Sequence, residues 1–229
     1  MSEFWNKVYS SDDSFFGDEP SSFALLCYKE FQKNDVKRIV ELGCGQGRDT
    51  FFFASQGIEV YTIDSSKVAV DAVSKLAIEK NLTIHAMTFD ARTDLPFDDN
   101  YFGAAYSHMF YNMRFTYKEI SMLFKEVNRI LKNRGLHFFS VRSDYDACFK
   151  KGEKVADKIY DINGFQIRFF TAEDINTFVT QGEFQLTKIT ESYEDPASLY
   201  FVFCSKKRGN YVNETLSSLE GNIQARPNE

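Results

Sequence analysis

The chain has 229 residues, of which 43% are hydrophobic, so it can bury one sizeable core, and one domain with additions is expected rather than two. Its formal net charge is −6 and its basic run, Lys206-Lys207-Arg208, is short, which disfavours a nucleic-acid substrate. No apolar stretch is long enough to span a bilayer and the N-terminus lacks the pattern of a signal peptide, so we expect a cytoplasmic protein without a membrane segment.

The N-terminal segment combines aromatic side chains with a loop. Trp5 and Tyr9 fall at helical spacing, Phe16 follows in a predicted loop, and Ser21 marks the start of the next helix. These aromatic residues are predicted either to fold over a ligand as a lid or to cover exposed core. Aromatic content alone does not separate the two.

From residue 23 onward, apolar runs alternate with helical patterns. The predicted strands span residues 37–42, 58–63, 82–89, 101–109 and 136–141, and the predicted helices span residues 23–34, 48–56, 67–80 and 117–133. Gly135 is expected to end the last of these helices, since glycine is favoured just past a helix C-terminus. The alternation predicts a parallel, right-handed sheet that is covered on both faces.

The alternation stops between residues 143 and 170, where aromatic residues stand among charged ones. Thr171 then opens a capped helix, and two closing strands are predicted over residues 183–190 and 199–205. Residues 209–229 lose the apolar pattern and are expected to form a flexible tail.

One segment, Val40-Glu41-Leu42-Gly43-Cys44-Gly45-Gln46-Gly47-Arg48-Asp49, joins the first predicted strand to a helix. Its three glycines allow a sharp turn and let a ligand approach the main chain. Arg48 stands where the dinucleotide fingerprint needs glycine, and no Lys-Ser/Thr pair follows as in a P-loop. Glu41, Asp64 and Asp90 lie at the ends of three successive strands. Such acids suit a nucleoside with hydroxyls and an amine but no phosphate.

These motifs, carried by residues 36–143, resemble the class I S-adenosylmethionine-dependent methyltransferases. The resemblance implies a Rossmann-like α/β fold, a doubly wound, mostly parallel seven-stranded sheet with an antiparallel C-terminal hairpin, in a single domain over residues 1–208. It implies S-adenosylmethionine as cofactor, with the glycine turn under its methionine part, Asp64 on the ribose hydroxyls, and Asp90 with Ala91 at the adenine. Asp64 could instead cap the following helix.

The candidate cofactor-binding residues follow from this resemblance. They are Trp5, Tyr9, Glu41, Gly43, Cys44, Gly45, Gly47, Asp49, Asp64, Ser65, Asp90, Ala91, Arg92 and Ser107.

The pattern Trp…Tyr…Phe-Gly-x-x-Pro-Ser in residues 1–22 resembles methyltransferases of the tellurite-resistance and thiopurine type, in which this segment is a lid. This implies a small-molecule acceptor in a pocket closed by residues 1–22 and by an insertion over residues 143–170. His108 is the candidate general base, because it titrates near neutral pH and ends a strand, although it could simply be packed there. The candidate substrate-binding residues are Phe16, Tyr106, Tyr111 and Tyr145.

Two rival functions stay open: a protein or peptide methyltransferase, which needs an open groove, and a cofactor-binding regulatory module without catalysis. No metal site is expected, because the cysteines lie far apart and the histidines lack ligand spacing. The cysteines, Cys27, Cys44, Cys148 and Cys204, are expected to be reduced thiols.

Overall fold

A seven-stranded sheet with helices on both faces forms the body of the computed structural model, which describes residues 2–12, 15 and 17–207. The helices are α1 (Ser2–Ser11), α2 (Ser22–Lys33), α3 (Arg48–Ser55), α4 (Lys67–Glu79), α5 (Tyr117–Ile130) and α6 (Ala172–Gln181), with a short 3-10 helix at Phe110–Asn112. The strands are β1 (Arg38–Leu42), β2 (Glu59–Asp64), β3 (Ile84–Thr88), β4 (Phe102–His108), β5 (Leu131–Arg142), β6 (Glu153–Ala156), β7 (Ile159–Ile162), β8 (Phe165–Arg168), β9 (Phe184–Glu194) and β10 (Ala197–Lys206). The predicted tail, residues 209–229, lies outside the described residues.

The strand order in the large sheet is β3-β2-β1-β4-β5-β10-β9. Strands β1 to β5 pair in parallel, whereas β10 is antiparallel to both β5 and β9. The order reverses between β1 and β4, and the crevice beyond the carboxyl ends of the strands at such a reversal is where open α/β sheets bind ligands. The prediction of a doubly wound, mostly parallel sheet with an antiparallel hairpin is confirmed.

Side chains alternate between the two faces of the sheet and build a separate apolar core on each. Ala104 and Tyr106 of β4 face the core under α2 and α3, whereas Ala105 between them faces the core under α5 and α6. This alternation follows from the two-residue period of a strand. Each face of the sheet is therefore covered by its own apolar layer.

The boundary between α5 and β5 differs from the prediction. The helix ends at Ile130, and Leu131 pairs with Phe102 as the first residue of β5, so residues 131–133 are strand rather than helix. Leu131 continues the apolar spacing of the helix, but the register shift of β5 beside β4 lets the same side chain be buried from a strand. The left-handed turn falls at Arg134, where φ is +62°.

Residues 143–170 contain a second, three-stranded antiparallel sheet in the order β6-β7-β8 that the sequence did not predict. All four residues of β6 are exposed, so its sequence carries no apolar pattern to read. The strand at β8 reaches α1 through Phe165, which contacts Phe4 at 5.2 Å between ring centroids. The insertion and the N-terminal helix therefore meet.

Among the described residues, none of the helices combines the length and the apolar character that crossing a bilayer requires.

Candidate active site

The glycine turn between β1 and α3 has left-handed backbone at each glycine, with φ of +76° at Gly43, +51° at Gly45 and +86° at Gly47. A Cβ atom at Gly43 would lie 2.5 Å from the Phe110 ring, and one at Gly45 would lie 2.8 Å from the Tyr9 hydroxyl. Glycine is thus required both by the backbone conformation and by these close approaches. The turn lies in the crevice where the strand order reverses.

Asp64, at the end of β2, is bound to the turn. One carboxylate oxygen accepts the Gly45 N–H at 2.9 Å, and the other accepts the Ser66 N–H at 2.8 Å. Burial raises the pKa of Asp64 above its ordinary value, although the N–H donors oppose this. Each oxygen retains a lone pair for a further donor. The N-cap of α4 is Ser66, whose hydroxyl accepts the Ala69 N–H.

Glu41 lies under the turn and is only 3% exposed. The Thr50 hydroxyl donates a hydrogen bond to its carboxylate. Burial, and secondly the charge of Asp49, raise the pKa of Glu41 to about 8 despite that hydrogen bond. A buried carboxyl group with no paired cation favours its neutral form.

Asp49, by contrast, is used by the protein itself. Its carboxylate accepts the Ser21 N–H and hydroxyl, each at 2.8 Å, and the Tyr106 hydroxyl at 2.6 Å. These bonds tie the N-terminus of α2 to α3. Both oxygens of Asp49 are thus engaged by α2 and β4, and its contact with the cofactor stays a prediction.

Two tyrosines predicted to line a substrate pocket are core residues. Tyr106 is fully buried and packs on Phe23 and Phe53. Tyr111 is 1% exposed, and its hydroxyl lies 3.2 Å from Nε2 of His137. Each side chain belongs to one of the two apolar cores, so the structure does not place either tyrosine in an open pocket, and their substrate contacts stay predictions.

The two other candidate substrate residues stay predictions. Tyr145 is 67% exposed and follows the end of β5, beside the ring of Tyr200. Phe16 lies outside the described residues.

Helix α1 lies across the glycine turn and the start of α4. The Asn6 side-chain oxygen accepts the Ser66 hydroxyl at 2.7 Å, and the Gln46 amide donates to the Asp12 carbonyl at 2.6 Å. The Tyr9 ring stacks on Trp5, and burial, followed by the charge of Asp64, raises the pKa of Tyr9. Asn6 and Gln46 were missed from sequence, because an amide carries no signal of its distant partner.

The end of β3 is more open. Asp90 is exposed and forms an ion pair with Arg92 at 2.5 Å, and the Arg92 hydrogen bond lowers the pKa of Asp90. Ala91 and Cys44 are buried, and Ser65 is half-buried. At the end of β4, the Ser107 hydroxyl is fully buried and has no hydrogen-bond partner within the described part of the chain.

The imidazole of His108 faces protein groups at both nitrogens. Nδ1 lies 2.8 Å from the Ser140 hydroxyl, and Nε2 lies 3.1 Å from the carboxylate of Glu194. The side chain is 7% exposed. A general base needs a nitrogen within reach of the acceptor's proton, and both nitrogens of His108 face protein groups here, so its catalytic role stays a prediction. Ser140 and Glu194 were missed from sequence, since they belong to other strands.

These groups fit a cofactor that combines a nucleoside with positive charge. The glycines let neighbouring groups lie directly against the main chain of the turn, and Asp64 has spare lone pairs for vicinal hydroxyls. Glu41 and Asp64 place two carboxyl groups beside the turn, and the unpartnered Ser107 hydroxyl is a further polar group at the rim. S-adenosylmethionine carries a ribose, a sulfonium and an ammonium group, which match this donor and acceptor set.

Residues 39–135 match the family model described as a methyltransferase domain. The fold is similar to a methyltransferase from Methanosarcina mazei, with 19% identity, coverage of 80% of this chain and 98% of the other, and a TM-score of 0.71. A methyltransferase from Clostridium acetobutylicum has 13% identity, coverage of 90% and 97%, and a TM-score of 0.68.

A third structure, which concerns conversion of a disulfide bond into a thioacetal group during echinomycin biosynthesis, has 16% identity, coverage of 90% and 93%, and a TM-score of 0.65. At these identities the three structures show a shared fold. A sequence comparison with curated proteins gives no significant match. Residues 39–135 therefore form a methyltransferase domain, and this domain family, together with the fold that the chain shares with methyltransferases, implies S-adenosylmethionine as the cofactor.

Proposed function

We propose that this methyltransferase acts on a small molecule inside a covered site. The observation that carries the proposal is the roof above the glycine turn, where α1 meets the three-stranded sheet. Phe165 of β8 contacts Phe4 at 5.2 Å, Trp5 at 6.1 Å and Phe15 at 6.3 Å between ring centroids. A roof of this kind excludes water from the reacting groups and limits the size of the acceptor.

The residues of the turn would hold the cofactor in the following way. The backbone at Gly43 and Gly45 would lie under its methionine part, and Asp64 would accept the ribose hydroxyls. Asp90 and Ala91 would border the adenine. The bound cofactor supplies a methyl group activated by the positive sulfur. The protein then has to hold the acceptor in line with that group and keep water out.

His108 is engaged by Ser140 and Glu194, so we propose an acceptor whose nucleophilic atom carries no proton that the enzyme has to remove. Such an acceptor needs no side-chain base for the displacement.

The comparison with the echinomycin structure supports a small acceptor, because that protein acts in natural-product biosynthesis. The aromatic N-terminal segment supports the resemblance to the tellurite-resistance and thiopurine group. We also propose a cytoplasmic location, for which the sequence is the support.

The test has two stages. S-adenosylmethionine and S-adenosylhomocysteine should each raise the melting temperature, because binding at a hundredfold excess over Kd adds about 2.7 kcal/mol of stability, whereas NAD and ATP should not. Protein with methyl-labelled cofactor is then given either a metabolite extract or a peptide library. Label in low-molecular-weight products supports the proposal. Label in peptides alone favours the protein methyltransferase, and binding without transfer from either pool favours the regulatory module.

A further inference from the structure

We propose that Glu194 is a positioning residue for cofactor binding: it holds the imidazole of His108, which fixes the turn that packs on the cofactor's glycine turn. The proposal depends on the methyltransferase activity and its cofactor and is independent of the size of the acceptor.

The carboxylate of Glu194 is held from two sides at the end of β9. One oxygen lies 3.1 Å from Nε2 of His108. The other accepts the Ser22 hydroxyl at 2.5 Å and the Phe23 N–H at 3.3 Å, both from the first turn of α2. The donors on α2 fix the orientation of the carboxylate, and its other oxygen is held at ion-pair distance from Nε2 of His108 without the geometry of a hydrogen bond.

The contact continues from His108 to the main chain of β4. Nδ1 of His108 lies 2.8 Å from the Ser140 hydroxyl, and the same hydroxyl oxygen accepts the Met109 N–H at 3.0 Å. The Ser140 oxygen accepts from Met109 and keeps a second lone pair, so its hydroxyl can either donate to Nδ1 or accept from it. We infer that it donates and that the ring hydrogen is on Nε2, because Nε2 is the nitrogen that lies 3.1 Å from the carboxylate of Glu194. The carboxylate therefore selects the tautomer in which the Ser140 hydroxyl donates to Nδ1.

Met109 is the residue at which this network reaches the site. Its φ of +54° is left-handed, a conformation that a residue with a side chain adopts only when its surroundings hold it there. The next residue, Phe110, opens the 3-10 helix, and its ring is the group that a Cβ atom at Gly43 would meet at 2.5 Å. The network thus holds a strained turn in the position that sets Phe110 against the glycine turn.

The charges around the pair favour this arrangement. Burial raises the pKa of Glu194, but His108, the Ser22 hydroxyl and the charge of Arg48 outweigh it and bring that pKa to about 2. These neighbours therefore favour the carboxylate form of Glu194. On the remaining side, the Phe23 ring stacks on the imidazole at 6.1 Å.

The test measures the dissociation constant of S-adenosylmethionine by calorimetry, which needs no acceptor. Glu194→Ala should raise it tenfold or more, and Glu194→Gln, whose amide oxygen can still face Nε2, should recover part of the loss. Ser140→Ala, which has no contact with α2, should raise it at least threefold. Adding Ser140→Ala to Glu194→Ala should cost less than the product of the two effects, because both act through His108. Glu191→Ala, an exposed acid of the same strand, is the control.

A merely structural role for Glu194 would lower the melting temperature and leave the affinity of the folded protein unchanged, which would overturn the proposal. Independent effects of Glu194→Ala and Ser140→Ala would do the same. If Glu194→Ala does not fold, the proposal is tested by Ser140→Ala and by nitrogen-15 spectra of the histidines in the wild-type protein. The neutral form of His108 should carry its hydrogen on Nε2, and a hydrogen on Nδ1 would contradict the relay.

Discussion

Replacing Glu41 by Gln tests the electrostatics under the glycine turn. Glu41 is 3% exposed, and its hydrogen-bond donor is the neutral hydroxyl of Thr50. Burial and the charge of Asp49 raise its pKa from the ordinary 4.5 to about 8. Gln has the same shape and keeps an oxygen for Thr50, but it carries no charge at any pH. The substitution therefore removes the titration and little else.

The direction and size of the effect follow from the two pKa values. Below pH 4.5 the carboxyl is protonated in both the folded and the unfolded chain, so its titration has no effect. Between pH 4.5 and about 8 the folded state binds a proton that the unfolded state has released, so the free energy of unfolding falls as the pH rises. The difference of about 3.5 between 4.5 and about 8, at 1.36 kcal/mol per pH unit, gives a loss on the order of 5 kcal/mol.

Urea denaturation of both proteins between pH 4.5 and 9 measures this loss. The difference in unfolding free energy between Glu41→Gln and wild type cancels the titration of all other groups. It should be near zero at pH 4.5 and grow to about 3–5 kcal/mol in favour of the variant at pH 9. A difference that stays constant across this range would refute a raised pKa for Glu41. A difference that grows toward low pH would mean that the carboxylate is stabilised by the fold.

Three further substitutions probe the site and its support. Asp64→Ala should weaken cofactor binding by about 1.5–3 kcal/mol, measured by calorimetry, and a variant that unfolds while its folded fraction binds normally would make Asp64 a structural residue. Deleting residues 1–16 should abolish methyl transfer, while circular dichroism should still show a folded core. In the full chain, the fluorescence of Trp5 should change when the cofactor binds. Full activity after the deletion would exclude the lid. Asp146→Ala should cost about 3–5 kcal/mol of stability in urea, because it leaves the half-buried Arg142 without the carboxylate 2.7 Å away, and a loss under 1 kcal/mol would contradict this.

The parallel part of the sheet could be predicted because parallel strands buried on both faces appear as apolar runs. β1 and β4 are such runs. Each is followed either by a turn or by a helix with a regular apolar stripe, which marks where the strand ends. The end of α5 could not be predicted, since Leu131 suits either a helix or a strand. Pairing with Phe102 decides it, and that pairing depends on residues about 30 positions away.

The three-stranded sheet was invisible for a different reason. A strand can be recognised in a sequence by the apolar residues of the face that it buries, and all four residues of β6 are exposed. Its strands are held by pairing with one another and by Phe165 at the N-terminal helix. Neither kind of contact produces a recognisable pattern in the local sequence, so the sequence indicated only that the alternation of strands and helices had stopped.

The two acids Asp49 and Asp64 show which property of a site residue cannot be predicted from the sequence. Both lie beside the glycine turn, and both suit a ligand equally well by residue type. Asp49 is closed off by Ser21, 28 residues away, and by Tyr106, 57 residues away, so its negative charge serves to join two helices.

Asp64 is held by main-chain donors on one side and keeps a lone pair on each oxygen for a ligand. The chemistry of an acid can be read from the chain, whereas its availability depends on partners that only folding brings together. The same reasoning applies to His108, for which we propose a positioning role. The group beside its Nε2 nitrogen, Glu194, belongs to the strand at the far edge of the sheet, so the local sequence around His108 does not indicate this partner.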